Sequence, residues 1–91
     1  MNVEFENQSG AVVLSFGMNE PNDKNECVTY SYTIPEAGIN STQVLAGCYW
    51  GYGWLDGGEG SRSTKTDSLL CLMDENTVYH ILIMKETIVL Q

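Results

Sequence analysis

Apolar and polar residues alternate along several short stretches of the chain, and a period of two indicates β-strands with one buried face. The clearest stretch is residues 27–34, where one face collects the apolar side chains Val28, Tyr30, Tyr32 and Ile34. Residues 3–6 alternate apolar with acidic side chains, and residues 11–16 form a denser β-branched run that is typical of a central strand. The pattern therefore predicts a mainly β protein.

The second half of the chain predicts a hairpin and a final strand. Residues 69–73 and 77–84 are apolar or β-branched runs, and the polar residues 74–76 between them predict a turn. Residues 87–90 predict a last short strand at a sheet edge. The polar stretches 17–26 and 61–68 predict loops, and the glycine-rich stretch 51–60 predicts a loop or an irregular strand. The first of these is long for a hairpin connection, which favours a functional loop.

Residues 40–50 allow two interpretations. Asn40 followed three residues later by Gln43 can begin a short helix over residues 40–48. The same segment can be a strand with Val44, Ala46, Cys48 and Trp50 on one face, and we favour the strand because Gly47 and the aromatic residues suit a sheet. The sum is a small antiparallel β-sandwich or barrel of about six or seven short strands, with an α+β fold as the alternative if the helix forms.

The length of 91 residues predicts one acidic, β-rich domain over residues 1–91. No apolar run approaches the roughly 20 residues of a membrane-spanning helix, and no charged-then-apolar leader opens the chain. The cysteines Cys27, Cys48 and Cys71 are odd in number. Without a secretory leader, that count predicts free thiols in a reducing cytoplasm.

The charge of the chain is strongly negative, with 12 acidic residues against 4 lysines and arginines and a net charge of −8. Residues 1–60 hold eight of the acids and only Lys24 among the bases. Such a field repels nucleic acid and anionic membranes and attracts basic partners. We therefore expect no direct binding to nucleic acid or to membranes. Acidity that only keeps a small protein soluble would account for the charge equally well.

The most unusual segment is residues 50–60, in which aromatic residues alternate with glycines and which holds both tryptophans of the protein. In an extended strand the three rings share one face, and Trp and Tyr are the residues that most often anchor interfaces. Acidic residues follow the rings and also occupy the 17–26 loop. The predicted partner-binding residues are Trp50, Tyr52, Trp54, Asp56, Glu59, Glu20, Asp23 and Glu26.

The aromatic segment is also consistent with two different roles. The rings can close a small core, with the glycines allowing a neighbouring strand to approach. A lectin-type site is the second possibility, because sugars stack on tryptophan and bond to Asp and Asn.

Outside the aromatic segment, the sequence gives only weak indications of a catalytic or metal site. Cys48 with His80, the only histidine, is the sole nucleophile–base pair that the composition offers, and no catalytic motif surrounds it. The cysteines and the histidine show no CxxC or HxxxH spacing of a zinc site. We therefore predict no catalytic residue, no metal, no cofactor and no enzymatic activity.

These features predict a small non-enzymatic inhibitor that binds a basic, nucleic-acid-binding surface of a partner enzyme. In size and charge the chain is similar to phage-encoded anti-CRISPR and anti-restriction proteins, which are often small and acidic; this is an analogy that no shared motif supports. One alternative is an immunity protein that caps a basic nuclease toxin. Another is an adaptor subunit that adds an edge strand, residues 87–90, to the sheet of a partner. Either a monomer or a homodimer is consistent with the sequence.

Overall fold

The computed structural model describes residues 1–10, 13–34, 39–54 and 62–91, and the regular secondary structure of these residues consists of strands. Nine strands occur in this part of the chain: β1 (Asn2–Asn7), β2 (Val13–Met18), β3 (Thr29–Thr33), β4 (Ile39–Gln43), β5 (Gly47–Trp54), β6 (Arg62–Thr66), β7 (Leu70–Leu72), β8 (Val78–Ile83) and β9 (Thr87–Leu90). They form one sheet in the order β3-β2-β5-β6-β9-β8-β1-β4, and β7 also pairs with β5. The sheet curls into a half-barrel, which confirms the mainly β prediction.

The strand count and pairing differ from the expected six or seven antiparallel strands. The sheet is mixed, because β1 pairs parallel with β8 and β6 pairs parallel with β9. The additional strand β6 lies in residues 61–68, which we expected to be a loop. Its buried side chains are Thr64 and Thr66, so its inward face consists of threonines, which favour strands although they are polar.

Residues 39–43 and 47–54 are strands and residues 44–46 are neither helix nor strand, so the short helix is wrong. Residues 39–43 pair with β1, with Asn2 opposite Gln43. The chain then leaves the sheet at residues 44–46 and enters β5. The strand interpretation is correct for residues 47–50 and wrong for residues 44–46, and Val44 is buried in the core whereas Cys48 and Trp50 lie on the outer face of β5.

The turn at residues 74–76 forms, but the hairpin around it does not. The Asp74 carboxylate accepts hydrogen bonds from the Asn76 N–H (2.9 Å) and the Thr77 hydroxyl (2.8 Å), and these bonds lower the pKa of Asp74. However, β7 pairs with β5, whereas β8 pairs with β1 and β9. The last strand is also not at an edge, because β9 lies between β6 and β8.

The core fills the concave side of the sheet and is built around aromatic rings. Phe16 stacks on Tyr49 with ring centroids 4.4 Å apart, and Phe5 meets Phe16 edge-on at 5.5 Å. β3 and β4 are the two end strands of the sheet. The Leu45 N–H, just after β4, donates a hydrogen bond to the Tyr30 hydroxyl on β3 (3.0 Å). Burial raises the pKa of the neighbouring β3 residue Tyr32. Side chains therefore link β3 to the residues that follow β4.

The cysteines differ from the expected three free thiols. Cys48 on β5 and Cys71 on β7 are cross-strand partners with Cα atoms 4.0 Å apart, and they form a disulfide. Cys27 is free and exposed. The sequence could not indicate this disulfide, because it depends on the register between two strands and the cysteines are 23 positions apart. None of the described ranges contains a helix long and apolar enough to cross a membrane.

Candidate functional site

Strand β5 has two different faces. Its buried positions hold three glycines and Tyr49, whereas its half-buried positions point to the convex side of the sheet and hold Cys48, Trp50, Tyr52 and Trp54. We call Trp50, Tyr52 and Trp54 the aromatic row. The rings thus lie on the face opposite the core and do not close it. The disulfide extends the row at its Cys48 end.

The core explains why the rings point outward. A Cβ atom on Gly51 would lie 3.3 Å from Thr66 Cγ2 and 3.4 Å from both Ile88 Cδ1 and Phe16 Cδ1. The inner side of β5 is therefore already occupied by the side chains of neighbouring strands. A larger side chain at position 51 would have little room there, although Tyr49 occupies the inner position before it.

Short side chains lie on the β2 side of the aromatic row. Gly17 is opposite Trp50 and Ser15 is opposite Tyr52. Beyond β2, the exposed positions of β3 are all hydroxyl residues: Thr29, Ser31 and Thr33. We call these three residues and Ser15 the hydroxyl shelf. Because the β2 positions opposite Trp50 and Tyr52 hold glycine and serine, the side chains on this flank are short and the surface is polar.

The other flank of the row is a groove along β6, which we call the β6 groove. It has a volume of about 430 Å³ and is lined by Trp50, Tyr52, Lys65, Thr66 and Asp67. Lys65 is the cross-strand partner of Tyr52. The Thr66 hydroxyl accepts a hydrogen bond from the Gly51 N–H (3.1 Å), which fixes the floor of the groove. The Thr87 hydroxyl donates to the Asp67 carboxylate (3.0 Å) and orients it.

The acidic loop, residues 19–27, is organised by Asn22. The Asn22 side-chain oxygen accepts hydrogen bonds from the Lys24 N–H (3.0 Å) and the Glu26 N–H (2.9 Å). Its amide nitrogen donates to the Glu26 carboxylate (2.9 Å) and to the Ala46 carbonyl (2.6 Å). Asn25 takes a left-handed conformation (φ 59°), which asparagine tolerates better than most residues. The loop is therefore a fixed structure anchored to the residue before β5.

Asn19 joins the acidic loop to the aromatic row. The Trp50 indole N–H donates a hydrogen bond to the Asn19 side-chain oxygen (3.0 Å), and the Asn19 N–H donates to the Cys48 carbonyl (3.3 Å). The first ring of the row is thus held by the first residue of the loop. These bonds connect the first residue of the loop to the Cys48 end of the row.

The structure brings together only part of the predicted partner-binding set. Glu20 lies beside Asn19 in the chain, whereas Asp23 and Glu26 line a different depression of about 450 Å³, which also has apolar walls from Val44 and Leu45. Asp56 and Glu59 lie outside the described residues. Four residues of this region were not predicted from the sequence: Asn19, Asn22, Lys65 and Asp67. The asparagine-rich composition of the loop could have indicated Asn19 and Asn22. No sequence feature indicated Lys65 and Asp67, because their position in the groove beside Tyr52 depends on strand pairing.

The candidate nucleophile is not available in this structure. Cys48 is bonded to Cys71, and His80 lies on β8, where its Nδ1 is 3.2 Å from the Glu4 carboxylate. Among the residues that the structure describes, no group of three His, Cys, Asp or Glu side chains could hold a metal ion. The site thus offers rings, hydroxyls and charges for noncovalent contact.

The chain matches no protein-family model, no curated protein and no solved structure in the comparisons with known proteins. What this surface can bind must therefore follow from its own residues. Its components are a row of rings, a fixed acidic loop at one end, and two polar flanks of different chemistry.

Proposed function

We propose that the protein is a small non-enzymatic inhibitor that covers a basic, nucleic-acid-binding surface of a partner enzyme. The single observation that carries this proposal is the hydrogen bond between Trp50 and Asn19, which joins the aromatic row to the acidic loop. Rings supply contact area and carboxylates supply complementary charge. The bond that connects the ring to the loop supports a partner that is both basic and partly apolar.

The surface is already ordered before a partner arrives. Asn22 fixes the loop, and the pleat of β5 fixes the rings. Binding then loses less conformational entropy than it would with a flexible loop, and preorganised surfaces gain affinity in this way. The rings that anchor such contacts are the types that dominate binding energy in protein interfaces.

Charge sets the orientation of the proposed complex. The loop carries Glu20, Asp23 and Glu26 against Lys24, whereas the β6 groove presents Lys65 beside Asp67. The basic surface of the partner should therefore lie over the loop, with an apolar group against Trp50. The net charge of −8 would accelerate the encounter at low ionic strength.

The test compares two variants of equal charge. In E20Q/D23N/E26Q three loop carboxylates are neutralised, and in the control E4Q/E6Q/E86Q three carboxylates on β1 and the β8–β9 turn are neutralised, so each variant has a net charge of −5. We expect the tagged wild type to capture a basic nucleic-acid enzyme at low salt, to release it at high salt and to inhibit it. The loop variant should lose capture and inhibition, while the control retains both.

The outcome that contradicts the proposal is equal behaviour of the two variants. Loss in both would mean that total charge matters and the loop does not. Retention in both, together with binding that salt does not weaken, would favour an apolar contact or the addition of a strand to a sheet edge. Such an adaptor would use an outer strand such as β3 or β4, because β9 lies between β6 and β8.

The immunity-protein alternative uses the same surface and the same charge. It predicts that the captured enzyme is a toxic nuclease and that coexpression protects cells from it. The identity of the captured enzyme therefore separates the two functions, and either a monomer or a homodimer can act in both.

The cellular location is a further part of the proposal. The cytoplasmic expectation depended on three free thiols and on the lack of a secretory leader, whereas the Cys48–Cys71 disulfide favours an oxidising compartment, so the proposed partner enzyme must then be one that acts where disulfides persist. We propose that the disulfide-bonded protein is the working form. Thiol titration of protein isolated without reductant should find one free thiol, Cys27, whereas three free thiols would support the reducing cytoplasm.

A further inference from the structure

We propose that the β6 groove, together with the adjoining rings of the aromatic row, binds the pyranose rings of a neutral oligosaccharide. This carbohydrate-binding activity does not depend on the proposed protein partner, because it uses the flank of the row opposite the hydroxyl shelf and does not need the loop carboxylates. Its residues are Trp50, Tyr52, Lys65, Thr66 and Asp67.

The aromatic row provides a surface for the apolar face of a sugar. A pyranose ring has a face of C–H bonds and a rim of hydroxyl groups, so it can stack on an aromatic ring while its rim bonds to polar groups. Alternate residues of a strand are about 6.7 Å apart, and Trp50 and Trp54 are thus about 13 Å apart along β5. A row of this length can contact successive rings of an extended chain.

The β6 groove provides both kinds of hydrogen-bonding partner for the rim of a sugar. The Lys65 ammonium only donates hydrogen bonds and the Asp67 carboxylate only accepts them. Sugar hydroxyls do both, so neighbouring hydroxyls can bond to the two side chains together. The Thr87 hydroxyl holds Asp67 in place, and the buried Thr66 fixes the strand between the two charged residues. Such charge-assisted bonds are stronger than those between neutral groups.

The charges of the groove favour a neutral ligand. Lys65 and Asp67 balance each other, and the strongly negative chain repels nucleic acids and other polyanions. A basic peptide in this groove would be opposed by Lys65. A purely apolar ligand would displace water from the exposed Lys65 and Asp67 side chains without replacing its hydrogen bonds. A neutral polyhydroxyl ligand is the class that satisfies the rings and both charges.

The two tryptophans of the protein are both in the aromatic row, so intrinsic fluorescence reports on this site directly. We would titrate the protein with neutral hexasaccharides of glucose, mannose, galactose and N-acetylglucosamine. The expected result is a saturable fluorescence change with at least one of them. In the single-tryptophan variant W54F the change should persist, since Trp50 lines the groove.

The variants D67N and K65Q test the polar side of the groove, and E4Q on β1 is the control. Removal of one charge-assisted hydrogen bond should weaken binding by about tenfold, the ratio that 1.4 kcal/mol corresponds to. E4Q should bind like the wild type. Thermal melts of every variant establish that it is folded before its affinity is compared.

Absence of a saturable response to all four sugars would overturn the proposal. So would binding that D67N and K65Q leave unchanged, because the sugar would then not occupy the groove. The loop variant E20Q/D23N/E26Q separates the two proposals: it should bind sugar normally even if it loses the protein partner.

Discussion

Removal of the Cys48–Cys71 disulfide is a direct test of how the half-barrel is stabilised. The bond closes a loop of 23 positions, and the chain-entropy treatment gives a stabilisation of about 3 kcal/mol for a loop of this length. Small domains are stabilised by only about 5–15 kcal/mol in total. The double variant Cys48→Ala/Cys71→Ala should therefore lose a large part of its free energy of unfolding. At about 4–8 °C per kcal/mol, its Tm should fall by about 12–24 °C.

The position of the disulfide predicts which strand is destabilised most when the bond is removed. β7 has only three residues, and β5 is its pairing partner in the described part of the sheet. Leu70 and Leu72 are buried and still hold β7 to the core after the bond is removed. Hydrogen exchange should therefore accelerate more strongly in β7 than in β1, which has a strand on each side.

The assay is a set of thermal melts followed by circular dichroism, with the variant Cys27→Ala as the matched control. Cys27 is exposed and outside the disulfide, so its replacement should leave the Tm nearly unchanged. Addition of reductant to the wild type should reproduce the loss seen in the double variant. A double variant that melts within about 3 °C of the control would refute the entropic argument, because backbone pairing and the two leucines would then suffice to hold β7.

Three further substitutions test other parts of the fold. Asn22→Ala removes the bonds that organise the acidic loop, so urea unfolding should show a loss of about 1–3 kcal/mol and limited proteolysis should begin within residues 19–27. Gly47→Ala puts a Cβ 2.8 Å from Met18 Cε, and because that methyl is the end of a flexible side chain, the cost in unfolding free energy should stay near about 1 kcal/mol. Asp74 has a lowered pKa in the folded protein, so its contribution to stability is present above its ordinary pKa and is lost as the pH falls through the folded value. The Tm difference between wild type and Asp74→Asn should therefore shrink on acidification. A Tm difference that grows as the pH falls would contradict this sign.

Local periodicity predicted the strands well because each strand's inward face is set by its own residues. The alternation in residues 27–34 corresponds to β3, where Tyr30 and Tyr32 are more buried than the threonines beside them. The alternation of glycine and aromatic residues likewise put the three rings on one face of β5. These features need no information about other strands.

Pairing between strands could not be predicted in the same way. β7 and β8 flank a well-formed turn, yet they pair with different strands, since the turn fixes the chain direction and the core decides which neighbour each strand meets. β6 was missed because its core-facing residues, Thr64 and Thr66, are polar. The β6 groove and the disulfide both follow from such long-range register, so no local pattern could indicate them.

The arrangement of β5 argues that the aromatic row serves an external contact. Burial of an aromatic ring in the core is among the most stabilising placements available to a small domain, and Phe16 and Tyr49 already use that space. The rings of the row keep part of their surface in water, so they contribute less to folding than buried rings would. Single exposed apolar residues are common, whereas an ordered row of three on one strand is a concentrated patch of the kind that marks interaction sites. Trp50 is also bonded to a loop that Asn22 organises, so the surface is ordered without a partner, and this supports the proposed binding role.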